Sequence, residues 1–386
     1  MSGFHATRDV RAVFVAKAAR TFAYGYLGIL LPIYLADLGL SASGVGAFVT
    51  ATLAGSAGLT WAIRAPAERL GARGTLLGLA GLSIVAAVLL LVTRDPWVVV
   101  VAAMIGNVAV GAGETGPFLS IEQVVLARAV EPARRTWTLS VYSLLGYGAA
   151  GAGAATVALG TPRWLFAGFL AAGLVQTLAY AGLGRVRIGA RRPGPRSSVA
   201  PVIRRVAALF ALDSFAGGFV VQSLIAYFLH TRFGLGLEAL GQIFFVTQLL
   251  TAASLLLAPW LARALGLLPT VVLTHLASNV FLIGIAFAPS AAVAIALLCA
   301  RQLLSQIDLP TRQAWLMTVV PDHQRETAAT TTTLWRTAAQ AFTPLATGWI
   351  MQSVALSAPF VLGGGLKIVY DVLLWRAFRN LKPADD

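Results

Sequence analysis

The sequence predicts an all-α integral membrane protein, with twelve transmembrane helices arranged as two pseudo-symmetric six-helix bundles and both termini cytoplasmic. Three observations predict it. Of 386 residues, 58% are hydrophobic and 11% charged, with mean hydropathy +0.79, whereas a soluble domain carries about 25% charged residues. Apolar stretches of the roughly 20 residues that a crossing takes recur along the whole chain. Residue patterns of the first half return in the second at a nearly constant offset.

Taken in order, the stretches delimited by charge, Gly and Pro give helices near 13–36, 43–63, 75–92, 97–127, 137–159 and 164–183. They resume at 206–230, 239–258, 270–288, 291–319, 327–352 and 358–376. The first is too long for the apolar core of a secretory signal and lacks a small-x-small cleavage site, so it reads as a retained helix. With a cytoplasmic N-terminus, the inner segments of the first half hold Arg8, Arg11, Lys17, Arg20, Arg64, Arg69, Arg73, Arg128, Arg134 and Arg135. Its outer loops hold only Arg94 and Arg163. The stretch 184–205 adds a run of arginines and no acid, which sets the orientation by the positive-inside rule. Its Arg191-Arg192-Pro193-Gly194-Pro195-Arg196 core has linker composition. The expected organisation is a bundle at 1–183, an arginine-rich cytoplasmic linker at 184–205 and a second bundle at 206–386.

The net charge of +14 would suggest nucleic acid in a soluble protein. Its placement in alternate loops ties it to topology, and no nucleic-acid partner is expected. Cys299 is the sole cysteine, so neither an intramolecular disulfide nor a thiolate metal cluster forms. His5, His230, His275 and His323 lack ligand spacing, so no metal is expected. No nucleophile–base set and no P-loop appears, which argues against an enzyme or an ATP-driven pump. The run Gly111-Ala112-Gly113-Glu114-Thr115-Gly116 fits a dinucleotide-binding search, but it lies in an apolar helix with no strand before it.

The repeat orders these helices into halves. Shifted by 195, Gly39-Leu40 falls on Gly234-Leu235, Gly46 on Gly241, Gly71 on Gly266 and Thr75 on Thr270. Shifted by 190, Gln123 falls on Gln313, Leu126 on Leu316, Val130 on Val320 and Arg135 on Arg325. Such an ordered series implies two six-helix bundles related by a pseudo-two-fold axis.

Two sets of six helices around a basic central loop resemble the major facilitator superfamily. The turn Glu68-Arg69-Leu70-Gly71-Ala72-Arg73 is similar to the family's acidic-Arg-x-Gly-x-basic turn, with Arg64 in place of a leading Gly and Glu68 in place of Asp. Arg263-Ala264-Leu265-Gly266 is a degenerate second version. The run Asp308-Leu309-Pro310-Thr311-Arg312-Gln313 is similar to one in a prokaryotic branch of that family. The fifth helix has Gly146, Gly148, Gly151 and Gly153 but no Pro, unlike the family's drug–proton antiporters. Its glycines suit close helix packing or a transport-mode signature. The resemblance implies that helices 1, 4, 7 and 10 line a central cavity and that the halves rock to give alternating access.

Charges inside a membrane need a partner, a wet cavity or a function. Arg20 corresponds to Asp213 at an offset of 193, and Glu122 to Arg312 at 190. Opposite charges at matched positions of cavity-lining helices suggest two ion pairs between the halves, Glu122 with Arg312 and Arg20 with Asp213, acting as a gate. Pairing within each half, or snorkelling of Arg20 to the interface, is the alternative. Glu114 and Asp308, each just before a proline, are proton-coupling candidates or structural partners of an arginine such as Arg336. Lys367 and Asp371 are four apart, so an intrahelical pair on a peripheral helix is expected.

The expected function is secondary active transport from a midplane site lined by Tyr24, Gln123, Gln222, Gln313, Arg336 and the charges above. The first expected mode is proton-coupled export of an amphiphilic or drug-like compound, with the proton gradient in place of any cofactor. In-membrane Arg301, Arg312, Arg336 and Lys367 support the alternative, uptake or exchange of an anionic metabolite. A non-transporting receptor or assembly factor with the same fold is the third possibility. The expected setting is a monomer in the inner or plasma membrane of a prokaryotic cell, with a small-molecule substrate and the lipid bilayer as partners.

Overall fold

The long apolar runs fold as helices whose ends fall at Pro, Gly or a capping side chain, as at α4, where Asp95 accepts from the backbone N–H groups of Trp97 and Val98. The structure is a computed structural model that describes residues 8–111, 116–184, 201–320 and 325–380. Among these residues it is α-helical, with one short 3-10 turn at Val157–Leu159. The first half holds α1 (Arg8–Asp37), α2 (Ala42–Ala62), α3 (Arg64–Val92), α4 (Pro96–Ile105), α5 (Pro117–Ala129), α6 (Pro132–Thr156) and α7 (Pro162–Ala181). The second holds α8 (Pro201–Gly218), α9 (Gln222–Phe233), α10 (Leu237–Leu265), α11 (Leu267–Ala286), α12 (Ala291–Ser305), α13 (Asp308–Val319), α14 (Arg325–Ala341), α15 (Thr343–Ser353) and α16 (Ala358–Phe378). Among the described residues, eight helices are long and apolar enough to cross a bilayer.

Four stretches expected as single helices are each broken in two. The stretch 97–127 becomes α4 and α5, because Asn107 is left-handed at φ 52° and Gly116, at φ 109°, precedes Pro117. The other breaks separate α8 from α9, α12 from α13 and α14 from α15. The broken stretches carry Glu122, Asp213, Arg312 and Arg336, which suits irregular backbone at a functional midplane. Glu114 and most of 184–205 lie outside the described residues, although α8 begins at Pro201, inside the expected linker.

The chain packs as two compact units. The first comprises Met1–Leu40, Ala51–Arg192 and Leu235–Phe245; the second comprises Ser41–Thr50, Pro193–Gly234 and Val246–Asp386. In the first unit α1 packs on α6, where Gly25 meets the backbone of Ala150 and Gly153 meets that of Phe22, leaving no room for a Cβ at either. Of the glycines of the fifth predicted helix, Gly153 thus serves close packing, whereas Gly148 faces open space. In the second unit Gly46 meets Pro344 and Gly348, and Ser43 Oγ donates to Gln352 Oε1 at 2.7 Å.

The repeat has a backbone cause. Gly39 and Gly234 are left-handed at φ 94° and 66°, and so are Gly71 and Gly266 at 69° and 88°. After the second pair, Thr75 Oγ1 donates to the Gly71 carbonyl at 2.8 Å and Thr270 Oγ1 to that of Gly266 at 2.7 Å. Only glycine takes such φ values without strain. The Glu68–Arg73 motif is thus a turn made by Gly71 within α3, with Glu68, Arg69 and Arg73 exposed.

Candidate functional site

In the first unit Arg20 on α1 and Glu122 on α5 form a bidentate ion pair, with Nη2 to Oε2 at 2.6 Å and Nη1 to Oε1 at 3.2 Å. Both side chains are 0% exposed. Tyr180 on α7 accepts from Arg20 Nη1 at 2.7 Å and donates to Glu122 Oε1 at 2.7 Å. Tyr142 on α6 donates to Glu122 Oε2 at 2.6 Å. The guanidinium also lies 4.3 Å from the Phe118 ring centre, a cation–π contact. Each oxygen of the Glu122 carboxylate thus has two partners, and four helices are tied together.

In the second unit Asp213 on α8 is the hub. Its Oδ2 accepts from Arg312 Nη1 on α13 at 2.7 Å, and its Oδ1 from Lys367 Nζ on α16 at 2.5 Å. Asp308, one turn before Arg312, stands 3.4 Å from the same Nη1. His275 on α11 stands between two carboxylates, with Nε2 3.4 Å from Asp213 Oδ1 and Nδ1 2.7 Å from Asp371 Oδ1. Asn279 donates to the other oxygen of Asp371 at 3.1 Å. Arg312 stacks 4.9 Å from the Phe210 ring centre.

Asp213, His275, Asn279, Asp308, Arg312 and Lys367 border a cavity of about 200 Å³ inside the second unit, which Arg301, Ser305, Ser214, Arg336 and Gln340 also line. Arg336 Nε donates to Ser214 Oγ at 3.0 Å, and Arg301 Nη1 to Gln302 Oε1 at 2.6 Å. Among the described residues neither forms an ion pair with a carboxylate, and Arg301 Nε is buried without any hydrogen bond. Four cations, Arg301, Arg312, Arg336 and Lys367, therefore face two carboxylates, Asp213 and Asp308.

Two sequence expectations are corrected. Arg20 bonds Glu122, and Arg312 bonds Asp213, so the gate pairs expected between halves form inside each unit; nor does Arg20 snorkel, being fully buried. Lys367 and Asp371 do not pair along α16: burial turns Lys367 to Asp213, and Asp371 to His275 and Asn279. The remaining lining candidates scatter. Tyr24 donates to the Gly106 carbonyl at 3.2 Å, Gln222 accepts from Gln248 at 3.3 Å, and Gln123 and Gln313 are exposed.

Sequence reasoning missed Tyr180, which corresponds to Tyr370 beside Arg312 at the same offset of 190, and it missed His275. Asp213, His275 and Asp308 present ligand-type atoms within 4.8 Å of one another. The Asp213 oxygens already face Lys367 and Arg312, and Arg312 also faces Asp308. The set is thus neutralised by cationic side chains, not arranged to attract a metal cation.

The family model for the Major Facilitator Superfamily matches residues 13–328. The chain belongs to the major facilitator superfamily. It is therefore a multi-pass membrane protein with a transporter fold, not an enzyme. An uncharacterized membrane protein of Saccharomyces cerevisiae, YJR124C, is 21% identical to it over 96% of this chain and 94% of the yeast protein. Among solved structures, a point mutant of the nucleoside transporter NupG is similar with a TM-score of 0.78 at 10% identity, covering 96% of this chain and 100% of that one. The human organic anion transporter MFSD10 is similar with a TM-score of 0.66 at 16% identity, covering 95% and 99%. Substrates as different as those two proteins' names state share this fold, so the chemistry of this chain's own cavity must carry the substrate reading.

Proposed function

We propose that this superfamily member carries a small anionic solute by alternating access, binding it in the cationic cavity of the second unit. Two half-buried arginines outside any ion pair among the described residues carry this reading. An arginine within a membrane helix costs about 2.5–3.5 kcal/mol on insertion scales, and Arg301 and Arg336 line one cavity with only neutral side chains bonded to them. An anion offsets both. A cavity of about 200 Å³ lies below the usual range of roughly 300–1,000 Å³ for drug-sized ligands, which favours a small carboxylate or phosphate ester over a bulky amphiphile. The excess of positive charge disfavours a lipophilic cation, so the anionic metabolite replaces drug-like export as the first reading.

In this reading Asp213 holds Lys367 and Arg312 in the empty site and gives way when the substrate's oxygens reach them. Protons are the proposed coupling ion. The chain works as a monomer in the plasma membrane, crossing twelve times with both termini on the arginine-rich cytoplasmic side.

The test is a thermal-shift screen of the purified protein followed by uptake into proteoliposomes. Small mono- and dianions are expected to raise the melting temperature, since a ligand that binds only the folded state stabilises it by mass action. Arg301→Gln and Arg336→Gln should each abolish that shift. Stabilisation by lipophilic cations with no response to any anion would overturn the reading.

A further inference from the structure

Arg94 and Arg163 are the two basic residues of the first half that fall on the side where the positive-inside rule disfavours them. The fold brings both to one place. The end of α1, the end of α3 and the start of α7 enclose an open cleft of about 720 Å³ in the first unit, and Arg94 and Arg163 both line it. Apolar side chains stand beside the two arginines: Leu38, Leu91 and the largely exposed Val92 also line the cleft, over a Tyr34–Phe166 pair that meets edge to face with centroids 5.5 Å apart.

Among the described residues neither arginine has an ion-pair partner. The carboxylate next in sequence, Asp95, is held by the N–H groups of Trp97 and Val98 as the cap of α4. Asp37, at the end of α1, pairs with neither among the described residues. Trp97 and Trp164, one or a few residues from the arginines, are 62% and 74% exposed, as befits rings at the level of lipid headgroups. Two such guanidinium groups beside partly exposed apolar side chains at helix ends match a phosphodiester carrying an acyl chain, because planar forked donors suit phosphate oxygens. Free phosphate would use the arginines but leave Leu38, Leu91 and Val92 uncovered.

We propose that this cleft binds one anionic phospholipid in the leaflet facing away from the arginine-rich loops, with its phosphate on Arg94 and Arg163 and an acyl chain along Leu38, Leu91 and Val92. The site is separate from the cationic cavity of the second unit and independent of what that cavity carries.

Native mass spectrometry of the full chain in detergent with equimolar phosphatidylglycerol and phosphatidylcholine tests it, alongside a thermal-shift titration with inorganic phosphate. The expected result is one tightly retained phosphatidylglycerol, lost in Arg94→Gln/Arg163→Gln with an affinity drop of about 30-fold. The single variants should be intermediate, and phosphate alone should give no shift. Both side chains are exposed, so the variants fold, and an unchanged elution profile on size exclusion checks this. Equal retention of the two lipids, retention unchanged in the double variant, or a phosphate-induced shift lost with the arginines would each overturn the proposal.

Discussion

Among the described residues of the first unit, Arg20 meets Glu122, and Tyr142 and Tyr180 add hydrogen bonds around the pair, with both charged side chains fully buried. In the second unit the corresponding positions hold the reverse charges, Asp213 for Arg20 and Arg312 for Glu122, again beside a tyrosine. There the hub is shared among Arg312, Lys367 and His275, and two further arginines stand around a cavity. The same helical positions thus hold a closed clasp in one unit and an open, cation-rich pocket in the other. Among the described residues the difference lies in how charge is held: Arg20 and Glu122 bind each other, whereas Arg301 and Arg336 bond only neutral side chains and are available to a ligand.

The largest effect should come from breaking the clasp. Arg20→Met leaves Glu122 as a buried, uncompensated carboxylate, a change that costs about 3–5 kcal/mol. The expected outcome is loss of the folded-protein peak in fluorescence-detected size exclusion. Replacing both partners, as Arg20→Met with Glu122→Leu, should recover most of that stability, because a buried pair contributes little net. A double variant as unstable as the single one would show that the clasp is more than a neutralised pair.

Next in size are the unmatched arginines. Arg301→Gln and Arg336→Gln should leave the melting temperature of the empty protein unchanged or raised. Each should weaken anion binding by about 1.5–3 kcal/mol, the worth of a hydrogen bond to a charged group. Isothermal titration with the anion found by screening reads this out. A melting temperature that collapses would move these arginines into the structural class of Arg20. Asp213→Asn sharpens the contrast in the other direction: with Lys367 and Arg312 released, anion affinity should rise by about tenfold while transport stops, since one full charge of competition is removed.

The repeat was legible because its markers are backbone requirements. Left-handed glycines at 39 and 234, and at 71 and 266, cannot be replaced without strain, so the pattern survives where side chains diverge. The charged positions were legible as well, but not their partners. Sequence assigns Arg20 and Glu122 to helices; it does not say which helix face turns to which neighbour, and matched positions of opposite sign suggested bonding across halves. Lys367 and Asp371 misled for a related reason, as i,i+4 spacing permits a bond that burial beside Asp213 and His275 redirects. Tyr180 could have been found, since it returns as Tyr370 at the offset of 190 already in hand. His275 could not, because its partners come from α8 and α16.

The smallest expected effect concerns His275, which has no counterpart among the described residues of the first unit's clasp. His275 faces Asp371, Asn279, Lys367, Asp213 and the ring of Tyr370, so it links the hub carboxylate to one outside the cavity lining. His275→Gln keeps a hydrogen-bonding side chain but cannot reach both carboxylates at once. Losing one such bond should cost about 0.5–1.5 kcal/mol, read as a small fall in melting temperature, with anion affinity in isothermal titration changed by less than about threefold. A loss of affinity as large as that expected for Arg301→Gln would make His275 part of the anion site, and would move the cause of the second unit's open pocket from its unpaired arginines to the whole hub.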